Sequence, residues 1–132
     1  MSYTNNPISI LAGTGITVTP TTGTGANTIT ISASGTQTVT IRNAVATPVT
    51  VVTTDDVVSV QVPGPVAVAV NLPAGVLGQT YTVKDGLGLA SIANPITITP
   101  SAGTIDGAAT ATISAPYGSV TLIYNGTQWL IT

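Results

Sequence analysis

The stretch Ser119-Val120-Thr121-Leu122-Ile123-Tyr124, then Asn125-Gly126, then Thr127-Gln128-Trp129-Leu130-Ile131 decides how this chain is read. Two runs that alternate aliphatic or aromatic with polar side chains flank an Asn-Gly pair. Alternation at period two puts one set of side chains on each face of a strand. Asn and Gly both tolerate the positive φ of a type I′ turn, so this is a strong hairpin signal. The pattern predicts an antiparallel hairpin with Tyr124 and Trp129 in cross-strand contact.

Working outward, the same period recurs along the chain. Gln79–Lys84, closed by Asp85-Gly86, reads as a strand, as do Pro95–Pro100 and Ala109–Ser114 around a connection holding Gly103 and Asp106-Gly107. Val49–Val52 and Val57–Val62 read as strands with Asp55-Asp56 at the turn between them. Pro63-Gly64-Pro65 then breaks the run, because proline cannot donate to a ladder. Val66–Leu72 follows and stops at Pro73-Ala74-Gly75. Toward the start, Ile8–Ile10, Ile16–Thr19, Thr28–Ile31 and Thr38–Ile41 alternate aliphatic residues with Ser or Thr. Helical spacing of apolar residues is nowhere sustained without Gly, Pro or a β-branched run interrupting it.

Composition agrees with these periods. Of 132 residues, 55 are Thr, Val or Ile, whose branched Cβ suits a pleated surface. About a dozen short strands separated by turns every 8–12 residues predict an all-β fold, an antiparallel β-sandwich or jelly-roll-like domain. Residues 1–35 read as an extended N-terminal β-arm and hairpin segment, and 36–132 as the sandwich domain. Ile16-Thr17-Val18-Thr19-Pro20 is matched by Ile96-Thr97-Ile98-Thr99-Pro100, and each is followed by a strand ending Thr-Ile-Ser. The pair fits a reused hairpin, and it is too short to imply a solenoid.

The inventory of side chains excludes much chemistry. The chain has no Cys, His, Phe or Glu, and its charge rests on Arg42, Lys84, Asp55, Asp56, Asp85 and Asp106. That leaves no serine triad of the usual kind, no thiol nucleophile and no zinc site of the N/S type. Two basic residues and a net charge of −2 exclude a phosphate-binding surface for nucleic acid. The most apolar stretch, Val57–Leu72, is too short and too broken by Pro to cross a bilayer as a helix. The opening Met1-Ser2-Tyr3-Thr4-Asn5-Asn6-Pro7 has neither a basic nor an apolar leader region.

The remaining candidates have plain explanations. Asp55-Asp56, with Asp85 or Asp106, carries the right oxygen chemistry for a divalent cation. As turn residues the four aspartates instead accept local backbone hydrogen bonds, which is the reading preferred here. Gly13-Thr14-Gly15 and Gly86-Leu87-Gly88 lack the following helix that a phosphate loop needs. Tyr81, Tyr117, Tyr124 and Trp129 suit either a sugar-stacking platform or a core, and with no Phe the core is expected. Asn125-Gly126-Thr127 fits a glycosylation pattern but reads as the hairpin turn. No catalytic, cofactor-binding or metal-binding residue is assigned.

Few aromatics mean little area buried per residue, while ordering each residue costs about 1–2 kcal/mol. Oligomerisation supplies the missing burial, and faces such as Val66–Val70 suit contact with another subunit. The expectation is an obligate oligomer, with threefold symmetry as the working choice.

The segment Gly78–Ile131 also resembles a β-domain of tailed-bacteriophage virion proteins. The likeness is carried by Gly78-Gln79-Thr80-Tyr81-Thr82-Val83-Lys84-Asp85, by Pro95-Ile96-Thr97-Ile98, by Thr104-Ile105-Asp106-Gly107, and by Tyr124-Asn125-Gly126-Thr127-Gln128-Trp129. Gly13-Thr14-Gly15-Ile16-Thr17-Val18 is similar to short β-repeats of phage fibres and appendages. The resemblance implies a non-enzymatic virion structural protein, trimeric and exposed on the particle exterior. A short chain with an arm and no shaft suits a capsid decoration or cement protein that binds the major capsid protein lattice. The alternative it implies is the receptor-binding tip of a short tail fibre or tailspike, whose rings contact a host-surface glycan.

Overall fold

The computed structural model describes residues 38–132 together with the backbone of Ile16–Pro20 and Ile29–Ala33. The chain divides into two units, Met1–Thr38 and Val39–Thr132. In the first, β1 (Ile16–Pro20) and β2 (Ile29–Ala33) pair antiparallel, with Val18 opposite Ile31. The expected strand at Ile8–Ile10, the Gly13-Thr14-Gly15 turn and the arm at the start of the chain lie outside the described residues.

The second unit carries nine strands: β3 (Ile41–Ala44), β4 (Val49–Thr50), β5 (Val57–Val60), β6 (Val68–Leu72), β7 (Thr80–Asp85), β8 (Ile96–Pro100), β9 (Ala111–Ile113), β10 (Ser119–Tyr124) and β11 (Trp129–Ile131). They form a five-stranded sheet in the order β11-β10-β7-β5-β3 and a four-stranded sheet in the order β4-β6-β8-β9. From β3 to β8 the chain lays one strand in the first sheet, the next in the second, and so on in turn. Strands of the same sheet that follow one another this way run parallel: β3 with β5, β5 with β7, β4 with β6, β6 with β8. After β8 the chain reverses. Then β9 pairs antiparallel with β8, and β10 pairs antiparallel with β7 and β11. The fold is all-β, as expected, but the antiparallel pairing expected of a sandwich or jelly-roll is corrected to mixed sheets.

Parallel strands need a long crossover. Here the strand in the opposite sheet is that crossover, so no helix is required. Both sheets turn alternate residues onto one buried cluster. In the four-stranded sheet, Val49, Val70, Ile98 and Ala111 form one inward row, and Val68, Ile96 and Ile113 another. In the five-stranded sheet Val58 and Val83 lie side by side, and Ala44, Val60 and Asp85 form the next row. Each fully buried aliphatic of this kind contributes about 1.5–3 kcal/mol.

This winding sorts the loops into two groups. Where β3, β5 and β7 finish lie 45–48, 61–67, 86–95 and 114–118, with Pro48, Pro63, Pro65, Pro95 and Pro116 among them. We call this the proline end. At the opposite, aspartate end lie 51–56, 73–79, 101–110 and 125–128, with Asp55, Asp56 and Asp106.

Three local readings are refined. The strand expected at Thr38–Ile41 begins its ladder only at Ile41, opposite Val57. Thr40 before it is held by the turn instead, its N–H donating to Asp56 Oδ2 at 2.7 Å and its carbonyl accepting from Asp56 and Val57. The hairpin of β10 and β11 forms as expected, with Tyr124 opposite Trp129, but its loop is the four residues Asn125–Gln128. Asn125 Oδ1 accepts the N–H groups of Thr127 and Gln128, each at 2.9 Å, so the side chain turns the chain rather than a type I′ backbone. The two similar segments both form antiparallel pairs, β1–β2 and β8–β9. Their registers differ by two residues, since Ile113 faces Ile96 whereas the corresponding Ile31 faces Val18.

Candidate functional site

Each described charge is engaged by the protein itself, and the two carboxylates that are buried are engaged most fully. Asp55 lies in the turn before β5 and faces Arg42 of the neighbouring β3. Arg42 Nε donates to Oδ1 at 3.0 Å and to Oδ2 at 3.2 Å, and Nη2 donates to Oδ2 at 2.8 Å. Val52 N–H adds a fourth bond at 2.9 Å, and Arg42 Nη2 also reaches the Thr50 carbonyl at 2.9 Å. The guanidinium holds the Asp55 carboxyl below the usual carboxylate range, against the opposing effect of burial. This pair ties β3 to the connection between β4 and β5.

Asp85 has no cation on its carboxylate. It fills the last inward position of β7, where the row beside it is Ala44 and Val60. Burial there pushes the carboxyl upward. Backbone N–H groups of Ala90 at 3.0 Å, Tyr117 at 3.1 Å, Leu87 at 3.3 Å and Gly88 at 3.0 Å outweigh it, and the carboxyl settles below its ordinary value. Two separate loops, 86–90 and 115–118, thereby close on one side chain. Lys84 supports the second loop from outside, its Nζ donating to the Tyr117 carbonyl and lying 5.6 Å from the centre of the Tyr117 ring.

Asp56 and Asp106 are exposed and accept single backbone bonds, from Thr40 and from Ile131 at 3.3 Å. Asp106 has φ 47° and Gly107 φ 80°, the left-handed pair of a tight turn. The aspartates are thus turn and staple residues. The cation grouping of Asp55-Asp56 with Asp85 does not assemble, because Asp85 lies at the opposite end. Among the described residues no three potential ligands come together at a metal position. At Gly86-Leu87-Gly88 the backbone N–H groups of Leu87 and Gly88 already serve Asp85.

The aromatic residues separate into two kinds. Trp129 is 0% exposed and Tyr81 1%, with ring centres 5.5 Å apart, and Tyr124 lies 5.2 Å from Trp129. These three pack together as core, so Trp129 and Tyr81 offer no face to a sugar. Tyr117 differs. It is 65% exposed, has φ 57°, and its ring lies against Gly88, where an added Cβ would overlap the ring. Its position in Ala115-Pro116-Tyr117-Gly118, a turn rather than a strand, is the signal in the sequence that sets it apart.

What the residue-by-residue reading missed is the distribution of exposed aliphatics. Val45, Val66, Leu87, Leu89 and Ile92 are exposed with Tyr117 at the proline end. Val52, Val76 and Leu77 are exposed at the aspartate end. Among the described residues no helix is long and apolar enough to cross a membrane. No family model matches this chain, and no match was found among the curated proteins compared with it.

Proposed function

We propose that this chain is a non-enzymatic structural protein of a bacteriophage virion: a homotrimeric capsid decoration or cement protein on the exterior of the head, bound to the major capsid protein lattice. One observation carries the reading. The described charges hold the protein's own turns together, while large aliphatic side chains stand exposed at both ends of the strands. A surface of that kind is built to be covered by protein. Within each subunit the two sheets sharing one core serve as the faces of a sandwich. The resemblance of Gly78–Ile131 to phage virion domains supplies the setting, and low charge suits close contact with other copies. Quantitative gel densitometry of purified virions tests it. A decoration protein is present in hundreds of copies per particle, and a copy number of a few to a few dozen contradicts that role.

The second reading is the receptor-binding tip of a short tail fibre or tailspike that recognises host-surface glycan. Tyr117 favours it, as an exposed ring fixed in place by Asp85, Lys84 and Gly88. Glycan binding on an array that disappears in Tyr117→Ala while assembly is kept would select this reading over the first.

A further inference from the structure

We propose that Asn125 is a site of spontaneous covalent modification, in which the backbone nitrogen of Gly126 attacks the Asn125 side-chain amide and water completes its conversion to aspartate or isoaspartate. The proposal goes beyond the function argued above and does not rest on it.

Three pairs in the chain place Asn or Asp directly before Gly: Asp85-Gly86, Asp106-Gly107 and Asn125-Gly126. Glycine has no Cβ to hinder its own nitrogen. The fold separates the three. Asp85 is buried, its carboxylate accepts four N–H groups, and the Gly86 N–H donates to the Val60 carbonyl at 2.8 Å. The Gly107 N–H donates to Gln128 Oε1 at 3.1 Å. In both pairs the attacking nitrogen is engaged and its target is a carboxylate, a poor electrophile. Asn125 and Gly126 are exposed instead, and neither the Gly126 N–H nor Asn125 Nδ2 has a partner among the described residues. The other described asparagines are less favourably set. Asn94 precedes Pro95, whose nitrogen carries no hydrogen. Asn43 and Asn71 stand within β3 and β6, each before a residue with a Cβ.

The loop also prepares the carbonyl under attack. Asn125 Oδ1 accepts the N–H groups of Thr127 and Gln128, each at 2.9 Å. Negative charge develops on that oxygen as nitrogen adds to Cγ, and donors already in place stabilise it. Hydroxide takes the Gly126 proton, and the nitrogen bonds to Cγ. The electron pair placed on Oδ1 returns and expels Nδ2, which leaves as ammonia with a proton from water. Water then opens the cyclic imide at either carbonyl. Opening at Cγ leaves aspartate, and opening at the backbone carbonyl leaves isoaspartate, with the chain running through Cγ. Isoaspartate lengthens the backbone inside the loop and moves the acceptor that holds it. Gln128 Oε1 in the same loop binds Thr104 Oγ1 and the Gly107 N–H, so the change reaches the link between this hairpin and loop 101–110.

Peptide mapping by mass spectrometry, on full-length protein kept in mildly alkaline buffer either folded or in urea, tests the proposal. Folded protein is expected to convert Asn125 ahead of Asn43, Asn71, Asp85 and Asp106, at a rate within about tenfold of the unfolded chain. Conversion of folded Asn125 more than about tenfold slower than in urea overturns the proposal, because the loop must then open before reaction. Earlier conversion at any of the other four residues overturns it too. Hydroxylamine reads the imide itself, since it opens the ring with cleavage of the chain. Added to folded protein, it is expected to cut between Asn125 and Gly126. Conversion of Asn125 without that cut means direct hydrolysis of the amide and contradicts the attack by Gly126.

Discussion

At Asp85 a residue that the sequence presents as the start of a turn does two jobs at once. It ends β7 on the inward side of the sheet and gathers four backbone N–H groups from two loops. Its carboxyl is held below the ordinary value, so its contribution is complete above the carboxylate range and is lost as pH falls through the lowered value. Asp55, also lowered, follows the same sign. Asp85→Asn is expected to cost about 2 kcal/mol at neutral pH, since an amide cannot satisfy four donors. The variant should also lose stability less steeply between about pH 5 and about pH 2 than wild type does, as read by urea unfolding. A variant with an unaltered pH slope would contradict the assignment. Arg42→Ala, which strands Asp55 without its partner, is expected to cost about 2 kcal/mol, less than a fully buried pair because the guanidinium is partly in water. The rings give a further contrast at this scale. Trp129→Ala should cost about 3–5 kcal/mol by emptying the core beside Tyr81, whereas Tyr117→Ala should change the stability of the isolated subunit by less than about 1 kcal/mol. Thermal unfolding of both variants checks the pair.

At the scale of elements, strand positions were legible from residues, and pairing only where consecutive strands form a hairpin, as β8 with β9 and β10 with β11 do. Val57–Leu72 and Gln79–Ile131 carry period-two alternation bounded by Gly, Pro and Asn, and strands β5 to β11 fall within the expected runs, save that β7 runs one residue further, through Asp85. The alternation of Val68–Leu72 or Ile96–Pro100 reports only that one face is buried. It is the same whether the neighbour runs parallel or antiparallel, so the winding of β3 to β8 between two sheets has no local signature. Nor do Ile41–Ala44, Val57–Val60 and Thr80–Asp85 repeat a motif that would betray it. The staple at Asp85 was illegible for a related reason: Tyr117 and Asp85 are 32 residues apart, and only the reversal at β9 brings them together. The topology makes its own prediction. Strand β5 lies between two neighbours and β3 lies at the edge of its sheet, so amides of Ile41–Ala44 are expected to exchange with solvent at least about tenfold faster than those of Val57–Val60. Equal protection across β3 and β5 in the isolated subunit would contradict the strand order.

For the molecule as a whole, the scarcity of charge turns from an absence into an arrangement. The six charges expected from composition to be too few for catalysis or phosphate binding are spent mostly on fixing loops, and the exposed carboxylates Asp56 and Asp106 both stand at the aspartate end. Large aliphatic side chains stand exposed at both ends of the strands. On the proposed reading, the work of the protein is done by what covers those ends, and assembly is where it is tested. Sedimentation velocity of the full-length wild-type chain at micromolar concentration tests this most directly. The account predicts one species of three times 13.0 kDa, and a stable 13.0 kDa monomer would contradict it.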